Sequence, residues 1–234
     1  MGRIVAIAGG DLKSTKPLNQ YVIRLSGKYN PNVLFVGTAS DDAPPYINNF
    51  TAAFSELGCN VKCLNLVSEE FDKEKTDALV NWADIIYVGG GDTVAMMKVW
   101  KQYGFDKKLM EVYKNDTAVL TGISAGAICW FKCGHSDSES FYKDDWQYVW
   151  ADDMLGIFPA AFCPHYNEDG RDSFDSMLKD KNMVGLAMEN DTAFVLNGYE
   201  QYHIRCNESA KAYMLRYNGD ELAKREVIFK DAGL

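Results

Sequence analysis

The chain has 234 residues, of which 47% are hydrophobic and 24% charged, and its net charge is -9. This is close to the average composition of a globular domain: no run reaches the roughly 20 apolar residues of a membrane span, and the charged fraction is ordinary. The acidic balance, with Lys and Arg unclustered, speaks against nucleic acid and anionic lipid as partners. A chain of this length fits one core, so residues 1–234 are expected to form a single domain.

Taken in chain order, "RIVAIAG" is apolar on both faces, as a strand covered on both sides must be. The preceding "MG" and the early Gly-Gly-Asp fit a first strand better than a secretion signal, so a cytoplasmic location is expected. "STKPLNQYVIRLSGK" has a Ser/Thr cap, a proline in its first turn and periodic Leu18, Val22 and Leu25, which predicts a helix. "NVLFVGTAS" predicts the second strand, "YINNFTAAFSELG" a helix closed by Gly58, and "NVKCLNLV" the third strand. "DKEKTDALVNWA" reads as a helix, "DIIYVGGGDT" as a strand running into three glycines, and "TVAMMKVWKQYG" as the next helix. "TAVLTGIS" is a fifth strand, ending at Ser124. This alternation predicts βαβ units and a mostly parallel sheet between helical layers. From 183 onward, "MVGLAME", "TAFVLNG", "YEQYHIR" and "KAYMLRY" alternate between short turns and predict hairpins added at the sheet edge.

The six cysteines, at 59, 63, 129, 133, 163 and 206, lie mostly in apolar segments, and no Cys-x-x-Cys or nearby histidine completes a zinc pattern. Reduced, packed thiols are expected, with no metal and no organic cofactor.

The chemistry centres on Gly122-Ile123-Ser124-Ala125-Gly126, a G-x-S-x-G pattern in which a tight strand-to-helix turn exposes a serine hydroxyl. Such a nucleophile needs a base, and the histidines are His135, His165 and His203. His203 lies within an alternating strand and His135 in a polar turn. His165 closes the apolar run "GIFPAAFCPHY", where a strand delivers a side chain to the edge of a sheet, and is the preferred base. Asp137 and Glu139 in "GHSDSES" are the candidates to orient it, with Asp169 and Glu189 further away in the chain. An oxyanion hole needs two aimed N–H groups; Ala125 offers one and the loop Gly89-Gly90-Gly91 the other. The loop is also compatible with an anion cradle, although "GGGDT" spells neither of the common phosphate-binding motifs.

Together, "VGGGDT", "GISAGAICW", the acidic turn and "FPAAFCPHYNEDGR" resemble, in order and spacing, the peptidase E/cyanophycinase family of serine peptidases. The resemblance covers roughly residues 1 to 200. It implies a three-layer α-β-α fold like that of the class I glutamine amidotransferases. It also implies Ser124 as nucleophile, His165 as base, Gly91 and Ala125 as oxyanion donors, and Asp137 as the acid, with Glu139 as alternative. Gly90, Asp92 and Arg171 are implied as substrate contacts, and the implied substrates are small peptides, with Asp-X dipeptides the family's intracellular type. Asp92 stands where peptidase E has an uncharged asparagine, and a carboxylate there would repel an aspartyl side chain. The competing expectations are a non-hydrolytic anion- or nucleotide-binding module of the same fold, and an esterase of the α/β-hydrolase type.

Overall fold

The computed structural model describes residues 2–234. The five apolar strands are β1 (Arg3–Ile7), β2 (Asn32–Val36), β3 (Asn60–Leu64), β4 (Ile85–Val88) and β5 (Val119–Ile123). They run parallel in the spatial order β1-β5-β4-β2-β3. The connecting helices are α1 (Lys16–Ser26), α2 (Pro44–Glu56), α3 (Lys73–Trp82), α4 (Thr93–Tyr103) and α5 (Phe105–Asn115). The sequence reading passes over α5, which Gly104, left-handed at φ 72°, separates from α4 by a single residue.

Alternate residues of each strand face opposite layers. Val5, Ile7, Val33, Phe35, Ile85 and Tyr87 pack on α1 and α2 through Leu18, Val22, Phe50 and Phe54. Ile4, Leu34, Val36, Ile86 and Val88 pack on the other side, against Met96 and Trp100 of α4 and Leu109 of α5. Each fully buried side chain of this size contributes roughly 1.5–3 kcal/mol, so the sandwich holds the strand ends rigidly. Rigid strand ends are what a site built on them requires.

After Ser124 comes a single turn, α6 (Ala125–Ile128), and the chain then enters a second sheet with β6 (Phe131–Ser136), β7 (Val149–Ala151) and β8 (Phe158–Cys163). Beyond α7 (Ser173–Met177), β9 (Gly185–Met188) continues that sheet parallel to β8. Only then do β10 (Thr192–Asn197) and β11 (Glu200–Arg205) return to the first sheet, antiparallel beside β1. A last hairpin, β12 (Ala212–Asn218) and β13 (Glu221–Glu226), extends the second sheet, whose order is β13-β12-β9-β8-β6-β7.

This corrects the expectation that all the late strands add to one edge: β10 and β11 do, whereas β9, β12 and β13 belong to the second sheet. The second sheet shares a layer with α4 to α6. Phe131 and Phe162 stack at 4.3 Å on its inner face, and Phe131 meets Phe194 of β10 at 5.6 Å. Its outer face, with Cys133, Ala161, Cys163 and Ala187, is covered by Phe174 and Leu178. Among the described residues no helix is long and apolar enough to cross a membrane.

Candidate active site

β5 ends at Ile123 and α6 begins at Ala125, so the whole reversal falls on Ser124, with φ 56° and ψ -116°. A non-glycine residue reaches such angles only where its surroundings hold it there. The Ser124 amide donates to the Ile7 carbonyl (3.1 Å), and its carbonyl accepts from Ala127 (2.8 Å) and Ile128 (2.9 Å). The flanking glycines are required by close approach. A Cβ on Gly122 would lie 2.3 Å from the Gly126 oxygen, and one on Gly126 would lie 2.2 Å from the Val88 oxygen. Backbone atoms of a central strand cannot yield as a side chain can. Gly126→Ala should therefore lower the unfolding free energy by about 2 kcal/mol or more in a denaturant titration. A midpoint like that of the wild type would contradict this reading of the turn.

The glycine loop closes in from β4. Gly90 presses on the serine, since a Cβ there would lie 3.3 Å from Ser124 Cβ and 3.9 Å from its Oγ. The Gly90 amide donates to the Tyr46 hydroxyl at 3.3 Å. Gly91 has φ 136°, and a Cβ there would come within 2.0 Å of the Ala39 oxygen, so only glycine fits. Among the described residues neither the Gly91 nor the Ala125 amide donates to a protein acceptor.

Asp92 does not take the position expected of a substrate contact. Its side chain caps α4, with Oδ1 accepting from the amides of Val94 (2.9 Å) and Ala95 (3.0 Å), while Oδ2 accepts from the Tyr142 hydroxyl (2.8 Å). A helix start needs such an acceptor, so the cap takes Oδ1 while Tyr142 takes Oδ2.

His165 follows β8 directly and also has positive φ, at 55°. Its ring lies against the end of β1: a Cβ on Gly9 would be 2.3 Å from His165 Nδ1. The amide of Ser124 is bonded to Ile7, so both residues converge on the C-terminal end of β1, over Ile7 to Gly9. No hydrogen bond joins their side chains among the described residues, as is common for such pairs before substrate binds. His165 Nδ1 lies 2.7 Å from Asn190 Oδ1 and 3.1 Å from Glu168 Oε1. The Asn190 amide nitrogen donates to the same Glu168 oxygen at 3.0 Å, which turns Oδ1 toward the histidine. Two acceptors facing Nδ1 favour a proton on that nitrogen. The hydrogen bond from His165 holds the Glu168 carboxyl down to about 2.

The two acids expected to orient this ring are elsewhere. Asp137 accepts from Arg171 Nη2 at 3.0 Å, and Glu139 pairs with Lys143 at 2.7 Å. Arg171 is buried rather than open to substrate: its Nη1 donates to the His135 carbonyl (3.2 Å) and its guanidinium lies 4.7 Å over the Tyr148 ring. Burying a guanidinium demands a counter-charge, and Asp137 supplies it. Of the other acids weighed, Glu189 accepts from the Lys211 amide (2.8 Å), and Asp169 meets Tyr148 through its backbone carbonyl. Asn190 and Glu168 escaped the sequence reading. Glu168 carried a faint signal, standing three residues after His165, whereas Asn190 is brought in by the turn from β9 into β10, which docks beside β1.

His135 is buried beside Arg171, with Nε2 2.9 Å from the Ser173 hydroxyl, and burial followed by the Arg171 charge pushes it down to about 3. Burial likewise lowers His203 to about 4. In both cases the folded state refuses a proton that the unfolded chain accepts below about 6.5, so stability is lost as pH falls. Melting temperature should drop between pH 6.5 and 4.5, above the range where carboxylates titrate, and His135→Gln should flatten that slope. An unchanged slope would contradict a neutral His135.

The fold and a serine held on a strained strand-to-helix turn define a serine hydrolase built on a parallel α/β sheet. The model of Peptidase family S51 matches residues 4–204, and the chain belongs to that family and is a serine-type peptidase. It is 34% identical over 235 residues to the uncharacterised peptidase YgaJ of Bacillus subtilis (strain 168), covering 96% of each chain. It is 26% identical over 192 residues to peptidase E of Haemophilus influenzae (strain ATCC 51907 / DSM 11121 / KW20 / Rd), covering 80% of each. A crystal structure of a peptidase from an acI-B1 Actinobacterium superposes with a TM-score of 0.68 at 18% identity, over 98% of this chain and 97% of the other. Family membership favours peptide hydrolysis over the binding-module and esterase readings.

Proposed function

We propose that the protein hydrolyses small peptides through an acyl-enzyme on Ser124, with His165 as the proton carrier. The observation that carries this is the placement of His165 Nδ1 against two acceptors, Asn190 Oδ1 at 2.7 Å and Glu168 Oε1 at 3.1 Å, which turns Nε2 away from them to act as the base. Ser124 Oγ bonds to the amide carbon as its proton passes to Nε2. The tetrahedral oxyanion takes hydrogen bonds from the Gly91 and Ala125 amides. Its collapse breaks the C–N bond, and His165 returns the proton to the leaving amine. Water then attacks the ester, giving its proton to Nε2; the bond from the acyl carbon to Oγ breaks as Nε2 passes that proton to Oγ, and the acid product departs with Ser124 restored.

Asn190 and Glu168 take the orienting role, and Asp137 holds Arg171 instead. The peptide reading draws support from the peptidase E relative. Cleavage of Asp-X dipeptides has less support, because Asp92 is committed to its helix cap and Arg171 to Asp137. A fluorophosphonate probe tests the scheme: mass analysis should find one adduct, on Ser124. A folded protein that stays unlabelled would overturn it.

A further inference from the structure

The chain carries a cavity that the proposed chemistry does not use. About 520 Å³ in volume, it adjoins the serine turn between β5, α2 and the loop after β1, and its walls include Leu12, Tyr46, Tyr87 and Ile123. Ile123 immediately precedes Ser124. Tyr46 is tied to the glycine loop beside that serine through the hydrogen bond from Gly90. The cavity is therefore physically joined to the reacting serine through two of its walls.

Resting on the reading of Ser124 as nucleophile, we propose that this cavity receives the side chain of the substrate residue whose carbonyl is attacked, and that it selects a large apolar or aromatic one. Three observations carry this. The volume lies within the range that holds a small ligand and exceeds what an alanine methyl would fill. The walls are mainly rings and aliphatic chains, which favour apolar burial at roughly 25 cal/mol per Å² and penalise an unpaired carboxylate. Asp11, the acid at the rim, is already engaged, since its Oδ1 accepts from the amides of Lys13 and Ser14 at 2.8 Å. The acyl-side residue is favoured over the leaving residue because its Cβ is one bond nearer the attacked carbon.

Lys13, exposed on the rim, offers the rival recognition element. It would select an acidic side chain instead.

The test uses aminoalkyl diphenyl phosphonates, which place a chosen side chain on the acyl side and bond to an active serine. Rates of Ser124 modification are measured by mass for alanine-, phenylalanine- and aspartate-like probes, alongside an unsubstituted fluorophosphonate. The phenylalanine probe should react at least about ten-fold faster than the alanine probe, and the aspartate probe slowest. Asn49→Trp, an exposed position of α2 that lines the cavity, should fill it and cancel the phenylalanine advantage. Asn48→Trp, exposed on the same helix and outside the cavity, should leave the order unchanged.

Equal rates for the alanine and phenylalanine probes would overturn the cavity's role, as would a leading aspartate probe that slows in Lys13→Met. Because the fluorophosphonate needs no side chain, its reaction with Ser124 keeps the nucleophile assignment standing in either case. Failure of every probe, the fluorophosphonate included, would sink the nucleophile itself. Should Asn49→Trp fold poorly, the wild-type order of rates still decides the matter.

Discussion

Ser124→Ala should cut kcat/KM on any dipeptide the protein hydrolyses by a factor of about 1,000 or more, and remove fluorophosphonate labelling, while leaving the melting temperature almost unchanged. The loss follows from removing the group that forms the covalent bond. The unchanged stability follows from geometry. Serine and alanine share a Cβ, so at φ 56° and ψ -116° both carry the same strain. The Ser124 amide keeps its bond to Ile7, and the side-chain oxygen has no hydrogen bond to lose among the described residues. Ser124→Gly separates strain from chemistry: it is equally inactive, but relief of a positive φ should raise stability by about 1 kcal/mol. An alanine variant that keeps its activity would refute the nucleophile. A glycine variant less stable than wild type would show that the turn is not strained.

The second large effect divides two residues that the sequence would confuse. Asn190→Ala should lower kcat by about 100-fold, because the ring loses its 2.7 Å acceptor and with it much of its fixed tautomer. The loss is partial because Glu168 remains 3.1 Å from Nδ1. The double variant Asn190→Ala/Glu168→Gln should therefore fall further than either change alone, and a double-mutant cycle measures the coupling. Asp137→Asn should behave in the opposite way, with kcat held within a few-fold but stability reduced by about 2 kcal/mol, since it strands a buried guanidinium. That figure is discounted because the Asp137 side chain is 35% exposed. Should Asp137→Asn abolish turnover at wild-type stability, the orienting role would return to Asp137.

The tight turn at Ser124 was legible because its requirements are local. Gly122 and Gly126 stand where neighbouring backbone leaves no room for a Cβ, and that need is written in five consecutive residues. His165 was legible because an apolar strand ends beside it. The acid position was not. "SDSES" has the composition of an orienting loop, but whether a carboxylate meets an imidazole depends on a fold-level pairing, and here the nearby buried Arg171 claims Asp137. The five parallel strands could likewise be read from their apolar runs, whereas β9, β12 and β13 could not be assigned to a sheet. An alternating strand records which of its faces is buried but not which neighbour it joins. Asp92 shows the same limit: a carboxylate after a glycine loop reads as a ligand contact, while the start of α4 supplies the stronger claim on it.

The return of the chain to the first sheet has a consequence for synthesis on the ribosome. The Ala8 amide donates to the Thr192 carbonyl (2.9 Å) and the Asp191 amide to the Gly9 carbonyl (3.0 Å), so it is β10 that carries Asn190 to the histidine. A nascent chain that has emerged only as far as β9 holds its serine and its imidazole but lacks Asn190, the 2.7 Å partner of the imidazole Nδ1. On the proposed scheme it is a poor hydrolase until the strand beside β1 has been made and has docked.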